Sequence, residues 1–277
     1  MVDTKNLVGE FTWDTSLTFS KTNSFWKERL PNYDYQIYQQ RENEPMSAYY
    51  YYNVTGIINT DRSNMPESQK TLQAEAQLPG CPIIEDKNKD GKIDENDVYM
   101  KDNSPAIYVG IGNTFTYKRF EFSFFMYGQF GIQKYNIAYS AAQAGPLAVD
   151  YPENSNKFAY RLWNSQTNPN GSRPGLTIGK MGALPGNAWV NADRENASFM
   201  RMRNITLAYN LAGNILGSLQ RYVRNIKVYV DAQNPFILTK FQGFDPEIYT
   251  GGGGASGGSR GEYPQTRTFS LGANITF

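Results

Sequence analysis

The sequence predicts an all-β fold, and within that class an antiparallel transmembrane β-barrel. Seven segments alternate apolar and polar residues with a period of two over roughly ten residues, the length that a tilted strand needs to cross a bilayer. The chain has 20 Tyr, 16 Phe and 4 Trp among 277 residues, and yet its mean hydropathy is −0.58. Rings in an otherwise polar chain are typical of strands with one apolar and one polar face.

The alternation is visible in each predicted strand. Phe120 and Phe122 lie on one face of their segment, for example, and Glu121 and Ser123 lie on the other. The seven segments are 11–19, 46–58, 106–117, 119–130, 198–211, 224–236 and 267–277.

The links between the segments separate a membrane barrel from a soluble all-β protein. If Phe277 ends on the periplasmic side, the long links 59–105, 131–197 and 237–266 are external loops. The short links, Lys118 and 212–223, are then periplasmic turns. Short turns at one end and long loops at the other are the outer-membrane pattern, whereas a compact sandwich is not expected to carry three loops this long. The link 20–45 is the one exception, because it is too long for a periplasmic turn.

The composition excludes several function classes. There is no histidine and Cys81 is the only cysteine, which removes Ser-His-Asp and Cys-His catalysis, the usual zinc sites and any internal disulfide. Glu121 and Asp231 fall on the polar face, but the sequence fixes no carboxylate pair, so we expect no enzyme. The net charge of +1 does not suggest a nucleic-acid partner.

One motif has the spacing of a calcium loop. Residues 86–97 read DKNKDGKIDEND, with oxygen-bearing side chains at positions 1, 3, 5, 9 and 12 and Gly91 at position 6. The candidate ligands for one Ca²⁺ are Asp86, Asn88, Asp90, Asp94 and Asp97 through their side chains and Lys92 through its carbonyl. An EF-hand needs a helix on each side, and the prolines around this loop argue against both helices. We therefore expect a lone loop between two barrel strands that stiffens an external loop, or, as the alternative, an acidic turn without an ion.

Five stretches in register resemble one family. They are residues 85–99, 104–131, 195–211, 226–248 and 261–277. Together they resemble the C-terminal part of the SusC/RagA-type TonB-dependent outer-membrane transporters, from about residue 7 to the end, whereas loop 132–194 has no match.

The resemblance implies a larger protein than this chain. Such transporters close about 22 strands around a plug domain, so residues 1–277 are expected to be a C-terminal fragment that lacks the plug and the N-terminal strands and does not transport alone. It also implies a bacterial outer-membrane importer of an oligosaccharide or peptide, driven by the TonB system through the missing part and covered by a SusD-like surface lipoprotein. Gly272, Ile275 and Phe277 resemble the insertion signal read by the barrel-assembly machinery, which delivers the strands to the lipid bilayer. The alternative from another class is a calcium-stiffened structural or adhesive all-β surface protein.

Overall fold

The computed structural model describes most of the chain, in two compact units. The described residues are 1–31, 33–39, 43–102, 107–136, 160–176, 178, 181–212, 216–217, 221–243, 245–247 and 265–277. The first unit, here the sheet unit, comprises Met1–Thr22, Pro105–Gln133 and Asn196–Phe277. The second, here the loop unit, comprises Asn23–Ser104 and Lys134–Glu195. Among the described residues, no helix is long and apolar enough to cross a membrane.

The sheet unit is one antiparallel sheet, here the main sheet. Its strands are β1 (Val2–Leu7), β2 (Phe11–Ser20), β7 (Ile107–Tyr117), β8 (Phe120–Phe130), β12 (Phe199–Ala212), β13 (Asn225–Gln233), β14 (Ile237–Thr239) and β15 (Thr268–Thr276). The strand order is β1-β2-β7-β8-β12-β13-β15, and β14 pairs with β12 beyond the end of β13. Within the described residues β1 and β15 each have a neighbour on one side only, so the sheet is open. This architecture confirms the predicted fold class.

The connections of the main sheet correct one predicted strand. Three short connections, 8–10, 118–119 and 213–224, join strand ends at one end of the sheet, and the segments 21–106, 131–198 and 234–267 join the other ends. The prediction that 46–58 is a barrel strand is therefore wrong, and the short strand β1 takes its place in the sheet. Because 21–106 is a single long connection, the exceptional link 20–45 is part of a long loop rather than a turn.

The two faces of the main sheet differ sharply. The registers place Trp13, Phe115 and Phe122 in one row across β2, β7 and β8, on the apolar face. Much of this face is exposed, with Leu271 at 80% and Phe269 at 74% of full exposure. The lowest-energy environment for so many uncovered apolar side chains is lipid.

The loop unit is built from short elements around a conventional core. Its strands are β3 (Ala48–Tyr52), β4 (Val54–Ile57), β5 (Pro82–Ile84), β6 (Tyr99–Asp102), β9 (Gln133–Tyr135), β10 (Trp189–Val190) and β11 (Arg194–Asn196), of which β9 and β11 reach one residue into the sheet unit. They form the small sheets β10-β3-β6, β4-β5 and β11-β9. Short 3-10 helices cover Ile37–Gln39, Glu67–Thr71, Ala74–Gln77, Glu95–Asp97 and Pro185–Asn187. The core residues Tyr52, Ile58, Cys81 and Val98 are fully buried.

Candidate functional site

The polar face of the main sheet carries charges that are already paired. Lys227 Nζ lies 2.9 Å from both carboxylate oxygens of Glu121, and Thr206 Oγ1 donates to Asp231 Oδ1 at 2.6 Å. The two carboxylates that the sequence placed on this face are therefore held by separate partners and do not form a carboxylate pair. Their arrangement suits a hydrophilic wall.

A group of four charges, two of them buried, lies farther along the same face. This ionic cluster consists of Arg201, Arg203, Asp245 and Glu247. Arg201 and Asp245 are only 3% and 7% exposed, and Arg201 Nη2 donates to Asp245 Oδ1 at 2.6 Å. Arg201 Nε also forms an ion pair with Glu247 Oε2. Two positive and two negative charges balance, which is the condition for burying them.

The outer part of the ionic cluster is Arg203. Its guanidinium donates to Glu247 Oε1 at 3.0 Å and to Asn234 Oδ1 at 3.2 Å. Its Cζ lies 4.6 Å from the centre of the Tyr127 ring, in a cation–π contact. The side chain of Arg203 remains 36% exposed, so the cluster has one guanidinium inside and one at the surface.

Sequence reasoning missed the ionic cluster. The sequence signals this cluster only through two pairs of charged residues, each spaced by two. The arginines lie in β12, and the acidic residues follow β14. Period-two spacing puts each pair on one side of an extended chain, but it does not say that the pairs meet.

The calcium-like loop 86–97 folds around its own amides. Asp86 Oδ2 accepts from Gly91 N at 2.9 Å, and Asp90 Oδ1 accepts from Lys92 N at 3.0 Å. Asn88 Oδ1 accepts from Asp90 N at 3.1 Å. Gly91 has a φ of 84°, in the left-handed region that glycine adopts without strain. This is the sharp turn for which the calcium-loop pattern has a glycine at position 6.

The end of the loop is fixed by Asp97. Its side chain is fully buried and accepts from Lys87 N at 2.8 Å and from Asp94 N at 2.9 Å. Asp94 in turn caps the 3-10 helix through Asn96 N. The loop runs from β5 to β6 of the loop unit, two strands that stand where an EF-hand has its helices, and it lies within the connection 21–106 between β2 and β7 of the main sheet. Among the described residues, no group of three or more carboxylate, thiol or imidazole side chains is arranged to hold a metal ion, and the calcium site stays a prediction.

The last strand shows why one residue of the predicted insertion signal is glycine. A Cβ on Gly272 would lie 2.5 Å from Tyr229 Oη, because the tyrosine ring of β13 covers this position on the polar face. Ile275 and Phe277 are 51% and 78% exposed. Packing alone accounts for Gly272, and recognition by an assembly machinery stays a prediction.

The loop unit contains an open polar cleft. It encloses about 650 Å³ and is lined by Trp163, Arg173 and several asparagines, including Asn59, Asn64 and Asn191. Asn191 and Asn64 already hydrogen-bond backbone groups of the unit. The hydrogen-bonding groups of these two asparagines are therefore used to fix the backbone that lines the cleft.

Close to Arg173 lies a carboxylate that is poorly satisfied. Burial raises the pKa of the Asp193 carboxyl to about 6, an effect that the Arg173 guanidinium opposes. Among the described residues Asp193 Oδ1 accepts no hydrogen bond. This carboxylate is a source of pH-dependent stability in the loop unit.

Comparison with known proteins gives a consistent set of relatives, although no family model matches the chain. It is 25% identical to TonB-dependent receptor P3 of Formosa agariphila over all of its length, which is 28% of that receptor. It is 31% identical to TonB-dependent receptor SusC of Bacteroides thetaiotaomicron over 69% of this chain and 17% of SusC. The chain thus spans under a third of the relatives that it matches.

Solved structures show the same fold. The structure of the RagAB peptide transporter superposes with a TM-score of 0.67 and 18% identity, covering 99% of this chain and 28% of the solved one. The RagAB peptide importer in its closed-closed state gives a TM-score of 0.65 over the same share of this chain. The open main sheet therefore corresponds to part of a larger closed barrel.

Proposed function

We propose, from the premise that the chain belongs to the SusC/RagA-type TonB-dependent receptors, that it forms part of an importer of oligosaccharides or peptides. Proteins of this family lie in the bacterial outer membrane, and so does this chain. The observation that carries the proposal is the main sheet, which has one exposed apolar face for lipid and one polar face that carries charged pairs such as Lys227 with Glu121. A wall of this kind separates lipid from an aqueous path.

The partners follow from the relatives. The TonB system supplies the energy through a part of the receptor outside this chain, and a SusD-like surface lipoprotein assists capture of the substrate. The similarity to SusC and the RagAB fold support this assignment. The relatives are named as receptors, and the chain's role is transport rather than catalysis.

The alternative of a calcium-stiffened adhesive surface protein is weaker. Such a protein would expose the apolar face of the main sheet to water, and Leu271 and Phe269 alone leave most of their side chains uncovered. Exposed apolar area on that scale is unfavourable in a water-soluble monomer.

The test is made on cells that produce the natural receptor. Outer membranes are extracted with detergent and blotted with antibody to residues 251–264, with and without boiling. A band several times larger than 31.3 kDa that shifts on heating is expected, together with loss of oligosaccharide or peptide uptake when the gene is deleted. A water-soluble band of 31.3 kDa, unmoved by boiling, would overturn the proposal. This chain expressed alone is expected to transport nothing.

A further inference from the structure

The ionic cluster joins three parts of the sheet unit that are far apart in sequence. Asp245 Oδ1 accepts from Arg201 on β12 and, at 2.9 Å, from Glu247 N. Its Oδ2 accepts from Gln265 N at 3.2 Å, just before β15. One carboxylate therefore ties β12, the segment after β14 and the approach to β15 together.

The register shows on which side of the sheet this happens. Arg201 lies opposite Tyr127 of β8, in the polar row of the main sheet. β14 pairs with β12 at the same level, and the chain then brings Asp245 and Glu247 back over Arg201. The segment 245–247 therefore packs against the polar face, which in a closed barrel is the face of the lumen.

We propose that Arg201 is a positioning residue that holds segment 245–247 against the lumenal face of the wall and so shapes the import path. The inference rests on the proposed function, because the polar face lines a path only in an importer. Arg203 extends the same contact to the surface, where its exposed guanidinium faces the aqueous side.

The physical basis is the asymmetry of buried ion pairs. A balanced buried cluster contributes little net stability, but removing one partner leaves charges that neither water nor protein satisfies. Without Arg201, Asp245 and Glu247 regain hydration only by leaving the face of the sheet. Loss of Arg203 has a smaller effect, because Arg201 still contacts both carboxylates and because Arg203 is 36% exposed, so that water can take its place beside Glu247.

The first test is hydrogen exchange on the complete receptor in detergent. In Arg201→Met, the amides of Glu247 and Gln265 are expected to exchange about 100-fold faster. Release of segment 245–247 breaks the hydrogen bond from Gln265 N to Asp245 and exposes to water the local turn in which Glu247 N donates to the same carboxylate. Amides of β13 serve as the internal control and keep their rates. In the matched variant Arg203→Met the same two amides accelerate by less than about tenfold. If Arg201→Met does not insert, Arg201→Gln, which keeps hydrogen-bond donors without the charge and leaves both oxygens of Asp245 in place, replaces it in the same measurement.

The second test separates a transport role from a merely structural one. Uptake of a short and a long labelled substrate is compared in cells that carry each variant, and the long-to-short ratio is expected to change at least about threefold for Arg201→Met. Arg201→Lys should restore the ratio only in part, because an ammonium keeps the charge but cannot reproduce the separate contacts of Nη2 and Nε with the two carboxylates. Unchanged exchange at Glu247 and Gln265 in a folded Arg201→Met receptor would overturn the holding role. Faster exchange with an unchanged uptake ratio would overturn the role in shaping the path. If the wild-type receptor imports neither substrate, the proposed function is wrong, whereas the exchange data still decide whether Arg201 holds the segment.

Discussion

The sheet unit and the loop unit use the same kinds of residue in opposite ways. In the loop unit Tyr52 and Val98 are fully buried, whereas in the main sheet Leu271 is 80% exposed. The loop unit follows the rule of a protein in water, with apolar side chains inside and polar ones outside. The main sheet follows the rule of a wall in lipid, with the apolar side facing outwards. Whether an aromatic side chain is buried or exposed therefore depends on the solvent of its unit, rather than on the amino-acid composition.

The largest effect should come from the core of the loop unit. Tyr52→Ala is expected to destabilise this unit by about 3–5 kcal/mol, because it empties a fully packed site. It also removes a hydroxyl that lies 3.0 Å from the carbonyl oxygens of Asp94 and Pro185. Limited proteolysis of the complete receptor, followed against temperature, measures the loss. Tyr33→Ala, at a position 63% exposed, is the matched control and should behave like the wild type.

Substitutions at two neighbouring residues of β15 test which face of the main sheet contacts lipid. Leu271→Arg is expected to cost about 2–4 kcal/mol in a bilayer, because Leu271 belongs to the apolar face. Ser270→Arg, one residue away on the polar face and opposite Asp231, should cost under about 1 kcal/mol. Urea unfolding of the receptor in lipid vesicles compares the two, and equal losses would contradict the assignment of the faces.

A pH titration sharpens the contrast in the loop unit. The raised pKa of Asp193 means that this group binds a proton more readily in the folded unit than in the unfolded chain. Its contribution to the stability is therefore fully present below about pH 4 and is lost as pH rises through about 6. Asp193→Asn should therefore stabilise the unit by about 2–3 kcal/mol at pH 7.5 and flatten this dependence. Thermal unfolding at several pH values measures it. A variant with the slope of the wild type would show that another group titrates.

The smallest expected effect concerns calcium. If loop 86–97 binds the ion with a dissociation constant of about 10⁻⁴–10⁻³ M, Ca²⁺ at about 2 mM should stabilise the loop unit by about 0.6–1.8 kcal/mol relative to chelator. The double change Asp86→Asn and Asp90→Asn should abolish the gain, and Mg²⁺ serves as the control ion. Thermal unfolding without any calcium effect would favour the ion-free acidic turn.

Much of the main sheet could be predicted because alternation is a local property. Six of its strands were expected within a few residues, since each shows its two faces in its own sequence. β1 escaped because it is short and irregular, with a register shift between Lys5 and Leu7. The prediction that 46–58 is a barrel strand failed because alternation identifies a strand but not the sheet to which it belongs. The segment forms β3 and β4 of the loop unit.

The ionic cluster lay beyond such reasoning. Arg201 and Asp245 are separated by 44 residues along the chain, and their meeting depends on how β14 extends the pairing with β12. The calcium-like loop, in contrast to the ionic cluster, has a pattern that is entirely local. Its turn at Gly91 could therefore be predicted. What the local pattern omitted was the buried side chain of Asp97, which accepts hydrogen bonds from Lys87 N and Asp94 N.

The placement of all long connections at one end of the main sheet has a consequence for evolution. The ladders β2-β7 and β8-β12 are completed by residues outside segments 21–106 and 131–198. Insertions, deletions and recombination within those segments leave the hydrogen-bonded registers of the wall untouched. A lineage can therefore replace these long connections as whole blocks while inheriting the wall unchanged, and a chimera that exchanges these segments between two relatives should still assemble.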